Sequence, residues 1–239
     1  MPCTAPRAYR RGMHADGATC LTTRCFCELV RPEGIAQPAN AWSSLAFVVA
    51  GVAALVLLRP ATRPERVLMP LLAVALAAVG VGSFAFHATL TLWGQFVDVL
   101  PMYAVGCVLL AGALVRLGRV TPRRAAVGGV ALLVALAVLL WVWPESRRVL
   151  FAAVLLPGIV LELVRAGRAG RGRGAGGGAR WLHVGLGLLV TAYLLWVLDQ
   201  AGLWCDPGSP LQGHAAWHVL GALAGWCLAR HWSGRRLVP

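Results

Sequence analysis

The chain has 239 residues, of which 59% are hydrophobic and only 13% are charged, and its mean hydropathy is +0.71. This composition excludes a soluble globular protein of the same length and indicates an integral membrane protein. The formal net charge of +13 comes entirely from arginine, because the sequence contains no lysine.

Seven apolar stretches are long enough to form bilayer-spanning helices, which need roughly 20 residues each. Leu, Ala, Val and Gly dominate these stretches, as suits close helix packing in lipid. We therefore predict an all-α fold, a seven-transmembrane-helix bundle at residues 41–230, with a non-cytoplasmic segment at 1–40 and a cytoplasmic tail at 231–239. The predicted helices lie at 41–58, 67–86, 94–115, 125–143, 147–164, 181–203 and 211–229.

The arginines indicate how the helices are oriented. Four groups share one side of a seven-helix topology, whereas the other side carries Arg147, Arg148 and arginines mostly far from the first helix. Because cytoplasmic loops are enriched in positive residues near helix ends, we expect a non-cytoplasmic N-terminus and a cytoplasmic C-terminus. The short loops suggest a bacterial inner membrane. The four groups are Arg59, Arg63 and Arg66; Arg116, Arg119, Arg123 and Arg124; Arg165, Arg168, Arg171, Arg173 and Arg180; and Arg230, Arg235 and Arg236.

A run rich in glycine and arginine extends from Ala166 to Arg180. It lacks the interleaved aromatic residues that are typical of nucleic-acid binding, and it lies between two predicted spans. We interpret it as a flexible cytoplasmic loop near anionic lipid and expect no nucleic-acid partner.

The cysteines before the first helix agree with this orientation. Cys25 and Cys27 precede the first helix and Cys205 lies between helices six and seven, so all three are predicted on the side where disulfides persist. We favour a Cys27–Cys205 disulfide, while Cys25 as the partner and free thiols remain open alternatives. The pattern assigns no partner to Cys3 and Cys20.

Polar residues gather in three stretches that the topology brings to one membrane face. Ser83 and His87 are one turn apart near the end of helix two, and Asp98 lies in the start of helix three. His214 and His218 enter helix seven four residues apart, which places both imidazoles on one helix face. Three histidines with an open fourth position are what a catalytic zinc ion requires, so the pattern predicts a zinc site.

Each of these residues also has a structural interpretation. A lone intramembrane histidine such as His87 is often only a hydrogen-bonded packing residue, and Ser83 alone suits close helix contact. Asp98 alone could cap helix three. Their common placement on one face favours the metal site.

Other ionisable residues are assigned outside the site. Glu162 is expected to pair with Arg165 or face the interface, and Asp199 to cap a helix, to pair near the site or to face water. His183 and His231 lie on the opposite face, so we give them no ligand role.

The order of these motifs resembles the alkaline ceramidase family of seven-helix zinc amidases, which is related to the adiponectin/progestin-type receptors. The motifs are Gly-Ser-x-x-x-His at 82–87, Asp98 followed by Leu-Pro-Met at 100–102, and His-x-x-x-His at 214–218. Further matching positions are Cys27, Glu28, Asn40, Ser43, Ser44, Trp196, Asp199 and Cys205.

The resemblance implies hydrolysis of the amide bond of ceramide or a related N-acyl lipid, giving a fatty acid and a long-chain amine. It implies that Asp98 is general base and then general acid, and that Ser83 stabilises the oxyanion. It also implies a disulfide between Cys27 and Cys205. The implied zinc ligands are His87, His214 and His218.

The N-terminal segment departs from the family pattern. Alkaline ceramidases have an acidic cluster there that can bind calcium, whereas here only Glu28 clearly matches and Gln37 stands where the family often has glutamate. Arg24 and Arg31 lie nearby. Because calcium usually needs six or more oxygen ligands, this departure argues against a calcium site.

A second function remains open at this stage. The same zinc ion could only clamp helices two, three and seven in a receptor or structural protein, and a closed site with four protein ligands would favour that alternative. A transporter is less favoured, because the polar residues lie at one face and not at the membrane midplane.

Overall fold

The computed structural model describes residues 17–22, 25–170 and 176–233, and in this part of the chain seven long helices follow one short 3-10 helix at Thr19–Thr22. The predicted all-α fold is confirmed. The helices are α1 (Pro38–Leu57), α2 (Glu65–Thr89), α3 (Leu92–Arg116), α4 (Pro122–Val142), α5 (Arg147–Gly170), α6 (Gly176–Ala201) and α7 (Gly213–Trp232).

Six of these helices, α1 to α6, are long and apolar enough to cross a bilayer, so the chain is a multi-pass integral membrane protein. The seventh helix, α7, is as long as α1 but less apolar, because it contains His214, His218, Arg230 and His231. These polar side chains face the bundle interior or its lower rim, where protein atoms surround them. The helix that least resembles a membrane span therefore carries two of the three histidines that the sequence predicts as metal ligands.

The helices alternate in direction, so the starts of α1, α3, α5 and α7 lie at one end of the bundle with the ends of α2, α4 and α6. We call this the upper end and the opposite one the lower end. Helix α1 packs on α2 and α7, α3 packs on α2, α4 and α5, and α6 packs on α7. Helices α5 and α6 contact each other little.

Two glycines allow the close helix contacts that form the upper end. A Cβ atom at Gly82 of α2 would overlap the Val97 carbonyl of α3, and one at Gly213 would lie 2.9 Å from both the Asp199 Cβ and the Leu195 carbonyl oxygen of α6. A side chain at either position would push the backbones apart. Gly82 thus brings α2 against α3, and Gly213 brings the start of α7 against α6.

Residues 17–22 and 25–37 fold over the upper end, and we call them the N-terminal cap. A Cys20–Cys25 disulfide closes one loop of the cap, and a Cys27–Cys205 disulfide joins the cap to the α6–α7 loop. The sequence pattern assigns no partner to Cys20, so this disulfide is known only from the structure. Apolar cap residues pack with Phe86 and Leu90 from the end of α2 in a small core of their own.

Glu28 holds the N-terminal cap to the first turn of α1. Its two carboxylate oxygens accept the backbone N–H groups of Ala39 at 2.7 Å and Asn40 at 2.9 Å, which have no partner within the helix. Burial raises the pKa of Glu28, although both hydrogen bonds and the charge of Arg31 oppose the shift. This carboxylate is therefore protonated at a higher pH than an exposed glutamate.

A buried ionic cluster lies at the lower end. The fully buried Glu162 pairs with Arg116 of α3 and with Arg165 at 3.2 Å, which confirms the predicted Arg165 pair and adds a second partner. Arg116 also lies 3.4 Å from Glu65. His231, in the last turn of α7, lies 3.4 Å from Glu162 and contributes to this cluster.

Candidate metal centre

The three histidines predicted as ligands meet at the upper end of the bundle. His87 comes from the last turn of α2, and His214 and His218 come from the first two turns of α7. One ligand nitrogen from each residue lies within 4.8 Å of the other two, and all three rings are buried. The Nε2 atoms of His87 and His214 are 3.1 Å apart.

The ring of His218 is fixed by a serine of α1. The Ser43 hydroxyl donates to the Asn40 carbonyl at 3.0 Å, and its oxygen lies 2.9 Å from His218 Nδ1. A hydroxyl has one proton, so Ser43 accepts from the imidazole, and Nδ1 carries the ring proton. The Nε2 lone pair of His218 is therefore directed into the site, where a metal requires it.

The ring of His214 is held by its backbone and by stacking. The fully buried Asp199 carboxylate accepts the His214 backbone N–H at 3.2 Å with one oxygen and the Cys27 N–H at 3.0 Å with the other. The Phe26 ring stacks on the His214 ring with centroids 3.7 Å apart and an interplanar angle of 18°. Asp199, whose role the sequence left open, thus caps the first turn of α7 and joins it to the N-terminal cap.

The donor set fits a zinc ion, and so does the spacing of the His87 and His214 nitrogens. Two nitrogens bound to zinc at the usual distance of about 2.0 Å and a tetrahedral angle are about 3.3 Å apart, close to the 3.1 Å between the His87 and His214 nitrogens. Imidazole nitrogen is a preferred zinc ligand. Among the residues that the structure describes, the group contains three such ligands and no fourth, which is the composition of an open catalytic site.

A serine and an aspartate adjoin this group. The buried Ser83 hydroxyl, one turn before His87, lies 3.3 Å from His218 Nε2. The Asp98 carboxylate of α3 lies close enough to the same hydroxyl to interact with it. The contact between Gly82 and the α3 backbone places these two side chains together. A proton acceptor and a hydroxyl donor therefore lie beside the candidate metal ligands.

A cavity of about 110 Å³ lies next to this site and runs towards the lower end, lined by side chains from α1, α2, α3, α5, α6 and α7. Near the site it is bounded by Phe47, whose ring contacts His218 with centroids 6.4 Å apart, and by Trp217. Near the lower end Glu162 contributes to its wall. The remaining wall residues are apolar or glycine, so the cavity suits a hydrocarbon chain.

The structure brings together all five residues proposed for the site and surrounds them with partners that the sequence did not assign. Gln37, Asn40 and Ser44 are fully buried, and Ser43 is partly buried. A signal was present: Gln37, Asn40 and Ser44 follow the i, i+3, i+7 spacing of one helix face at the start of an apolar helix. Buried polar residues at the start of an apolar helix require partners. Here Gln37 contacts the His87 ring and Ser43 contacts the His218 ring.

Comparison with known families agrees with this arrangement. The family model described as Ceramidase matches residues 23–233, which includes most of the N-terminal cap and all seven helices. No curated protein matches the chain. The matched range contains the three histidines, Ser83 and Asp98.

Proposed function

Because the chain belongs to the Ceramidase family, we propose that it is a zinc-dependent amidohydrolase that cleaves the amide bond of ceramide or a related N-acyl lipid. The observation that carries the proposal is the three-histidine group with Ser83 and Asp98 beside it; an apolar cavity lies next to the site, behind Phe47 and Trp217. His87, His214 and His218 would hold the ion. When bound, a zinc ion supplies Lewis acidity that activates water and polarises an amide carbonyl.

Asp98 carries the proton in this scheme. Its carboxylate accepts a proton from the attacking water as the new carbon–oxygen bond forms at the amide carbonyl. It then gives the same proton to the amide nitrogen as the carbon–nitrogen bond breaks. One water is consumed, and the products are a fatty acid and a long-chain amine.

Ser83 stabilises the charge that develops on the carbonyl oxygen. In this scheme its hydroxyl donates to the neighbouring Asp98 carboxylate in the resting site. Once Asp98 has taken the proton from water, its carboxyl group is neutral and accepts more weakly. The hydroxyl is then available to donate to the oxyanion, so proton uptake and oxyanion stabilisation occur in the same step.

The apolar cavity supports a lipid substrate. Its wall near Phe47 adjoins His218, so a chain bound in the cavity would end close to the site. Residues of α5 and α6 line the same cavity, and these helices contact each other little. We propose that the acyl chain enters from the membrane between them.

We propose that the site faces the non-cytoplasmic side. The described loops at the lower end carry most of the arginines, whereas Arg147 and Arg148 lie at the upper end with the cap and its disulfides. The positive-inside tendency and the persistence of disulfides outside the cytoplasm favour the same orientation.

A zinc ion that only clamps the helices is the alternative. That role favours a closed site with four protein ligands, and the described residues provide three. An adjacent acid–base pair such as Asp98 and Ser83 has no purpose in a structural site. Both features favour hydrolysis.

The test uses the purified protein and a panel of N-acyl lipids, with metal content and fatty-acid release measured with and without a chelator. We expect bound zinc, chelator-sensitive release, and a loss of about 10²–10⁴-fold in kcat for Asp98→Asn with zinc retained. Asp206→Asn, in the exposed α6–α7 loop, is the matched control and should keep wild-type turnover. Bound zinc without hydrolysis of any lipid would favour the clamp.

A further inference from the structure

Gln37, the last residue of the N-terminal cap, contacts a metal ligand and the cap at once. Its side chain is fully buried. Its carboxamide oxygen lies 2.9 Å from His87 Nδ1, and its carboxamide nitrogen donates to the Glu28 carbonyl at 3.2 Å. Its backbone N–H also donates to the His87 carbonyl at 2.9 Å. Side chain and main chain therefore both join this residue to the end of α2.

These contacts fix the protonation of the His87 ring without any assumption about a metal. A backbone carbonyl only accepts hydrogen bonds, so the Gln37 NH2 group must face Glu28. The carboxamide oxygen then faces His87, and because it only accepts, Nδ1 of His87 must carry the ring proton. This leaves the Nε2 lone pair free on the side where His214 and His218 lie.

The same contacts occupy the oxygens that a calcium ion in the cap would need. Calcium takes six to eight oxygen ligands. Here both carboxylate oxygens of Glu28 accept N–H groups of the first turn of α1, its carbonyl accepts from Gln37, and the Gln37 oxygen accepts from His87. An NH2 group points at the Glu28 carbonyl where a cation would have to bind, so this part of the cap does not fit calcium.

We propose that Gln37 is the positioning residue for the metal ligand His87, and that its carboxamide closes the N-terminal cap over the site without calcium. The carboxamide makes two hydrogen bonds: its oxygen accepts from the imidazole and orients it, and its nitrogen donates to a buried carbonyl of the cap. Partners of this kind are typically worth about 10–100-fold in metal affinity. The inference rests on the metal site of the proposed function and not on its substrate.

The experiment measures zinc affinity by competition with a chelator on purified protein from which metal has been removed. Gln37→Met has a similar shape but provides neither the acceptor nor the donor, and we expect it to weaken zinc binding by about 10–100-fold. Gln200→Met is the matched control. Gln200 also ties the cap to the bundle, by donating to the Cys25 carbonyl at 3.2 Å, but it is not hydrogen-bonded to a metal ligand. We expect its zinc affinity to stay within about twofold of wild type.

Gln37→Glu separates orientation from folding. A carboxylate at this position still accepts from His87 Nδ1 but no longer donates to the Glu28 carbonyl, so we expect near-wild-type zinc affinity and lower thermal stability. Millimolar calcium chloride should not raise the thermal stability of the wild-type protein, because the oxygens of Glu28 and Gln37 already accept hydrogen bonds.

Three results would overturn the inference. They are a Gln37→Met variant that is folded and binds zinc as tightly as wild type, a Gln200→Met variant with an equal loss of affinity, and a wild-type protein stabilised by calcium. Failure of lipid hydrolysis with all zinc affinities as expected would contradict the proposed function alone. A wild-type protein that binds no zinc would overturn both proposals.

Discussion

The two ends of the bundle bury ionisable side chains in opposite ways. At the lower end, two carboxylates and two guanidinium groups compensate one another: Glu65, Glu162, Arg116 and Arg165 form one set of ion pairs. At the upper end, three imidazoles point their nitrogens at one another, and no carboxylate belongs to this group in the part of the chain that the structure describes.

This difference separates a structural cluster from a binding site. Burying charges costs several kcal/mol per ion unless they are paired, so a self-compensated set such as that around Glu162 needs no ligand. The three imidazoles of the upper group are held in place by partners such as Gln37 and Ser43. Their lone pairs are not compensated within the group. A cation would satisfy the lone pairs of the upper group, whereas the lower cluster requires no ligand.

The largest effect should come from removing a ligand at the upper end. His214→Ala should abolish stoichiometric zinc binding and lower lipid hydrolysis by at least about 10³-fold, because two imidazoles do not hold a catalytic zinc ion. Metal analysis and fatty-acid release measure both effects. His183→Ala removes an exposed histidine of α6 and should change neither. Equal zinc content in the two variants would contradict the assignment of a metal site to the upper end.

The lower end should respond in stability and not in metal binding. Glu162→Gln removes the fully buried carboxylate that pairs with Arg116 and Arg165 and leaves Glu65 as the remaining carboxylate of the cluster, so we expect a loss of about 3–5 kcal/mol in the free energy of unfolding. Glu145→Gln breaks the exposed pair with Arg147 and should cost about 0–1 kcal/mol. Thermal unfolding in detergent compares the variants. Loss of zinc from folded Glu162→Gln protein would show that the two ends are not independent.

The smallest of these effects concerns catalysis alone. Ser83→Ala preserves the small size that close helix packing needs but removes the hydroxyl, and we expect kcat to fall by about 10²–10³-fold with zinc content unchanged. Ser44→Ala is the matched control, because it removes a buried hydroxyl of α1 that is hydrogen-bonded to the carbonyls of Ala41 and Gly80 and not to a site residue. Wild-type kcat in Ser83→Ala would mean that Ser83 serves packing only.

The sequence predicted the helices and the ligands because both are local patterns. Apolar stretches of bilayer length define spans, and the alternation of their directions brings His87 to the same end as His214 and His218. The predicted bounds differ by a few residues at the helix ends. Helix α2, for example, continues to Thr89, because Leu90 adopts a left-handed conformation with φ of 48° and ends it there.

The N-terminal cap and the partners of the ligands could not be predicted in this way. Contacts between separate elements depend on the three-dimensional packing, which sequence periodicity does not predict. Examples are the Cys20–Cys25 disulfide, the Gln37–His87 contact and the Arg116–Glu162 pair. A buried carboxylate such as Asp199 signals that a partner exists but not which one. Only the packing of α6 on α7 and the cap identifies it.

The Asp199 carboxylate has a consequence for how the protein matures. One of its oxygens accepts the N–H of Cys27 and the other accepts the N–H of His214, so the same side chain contacts a disulfide-bonded cysteine and a proposed metal ligand. We therefore expect disulfide formation to help position His214 for metal binding. In a reducing environment we expect the chain to insert in the bilayer but to bind a metal ion poorly.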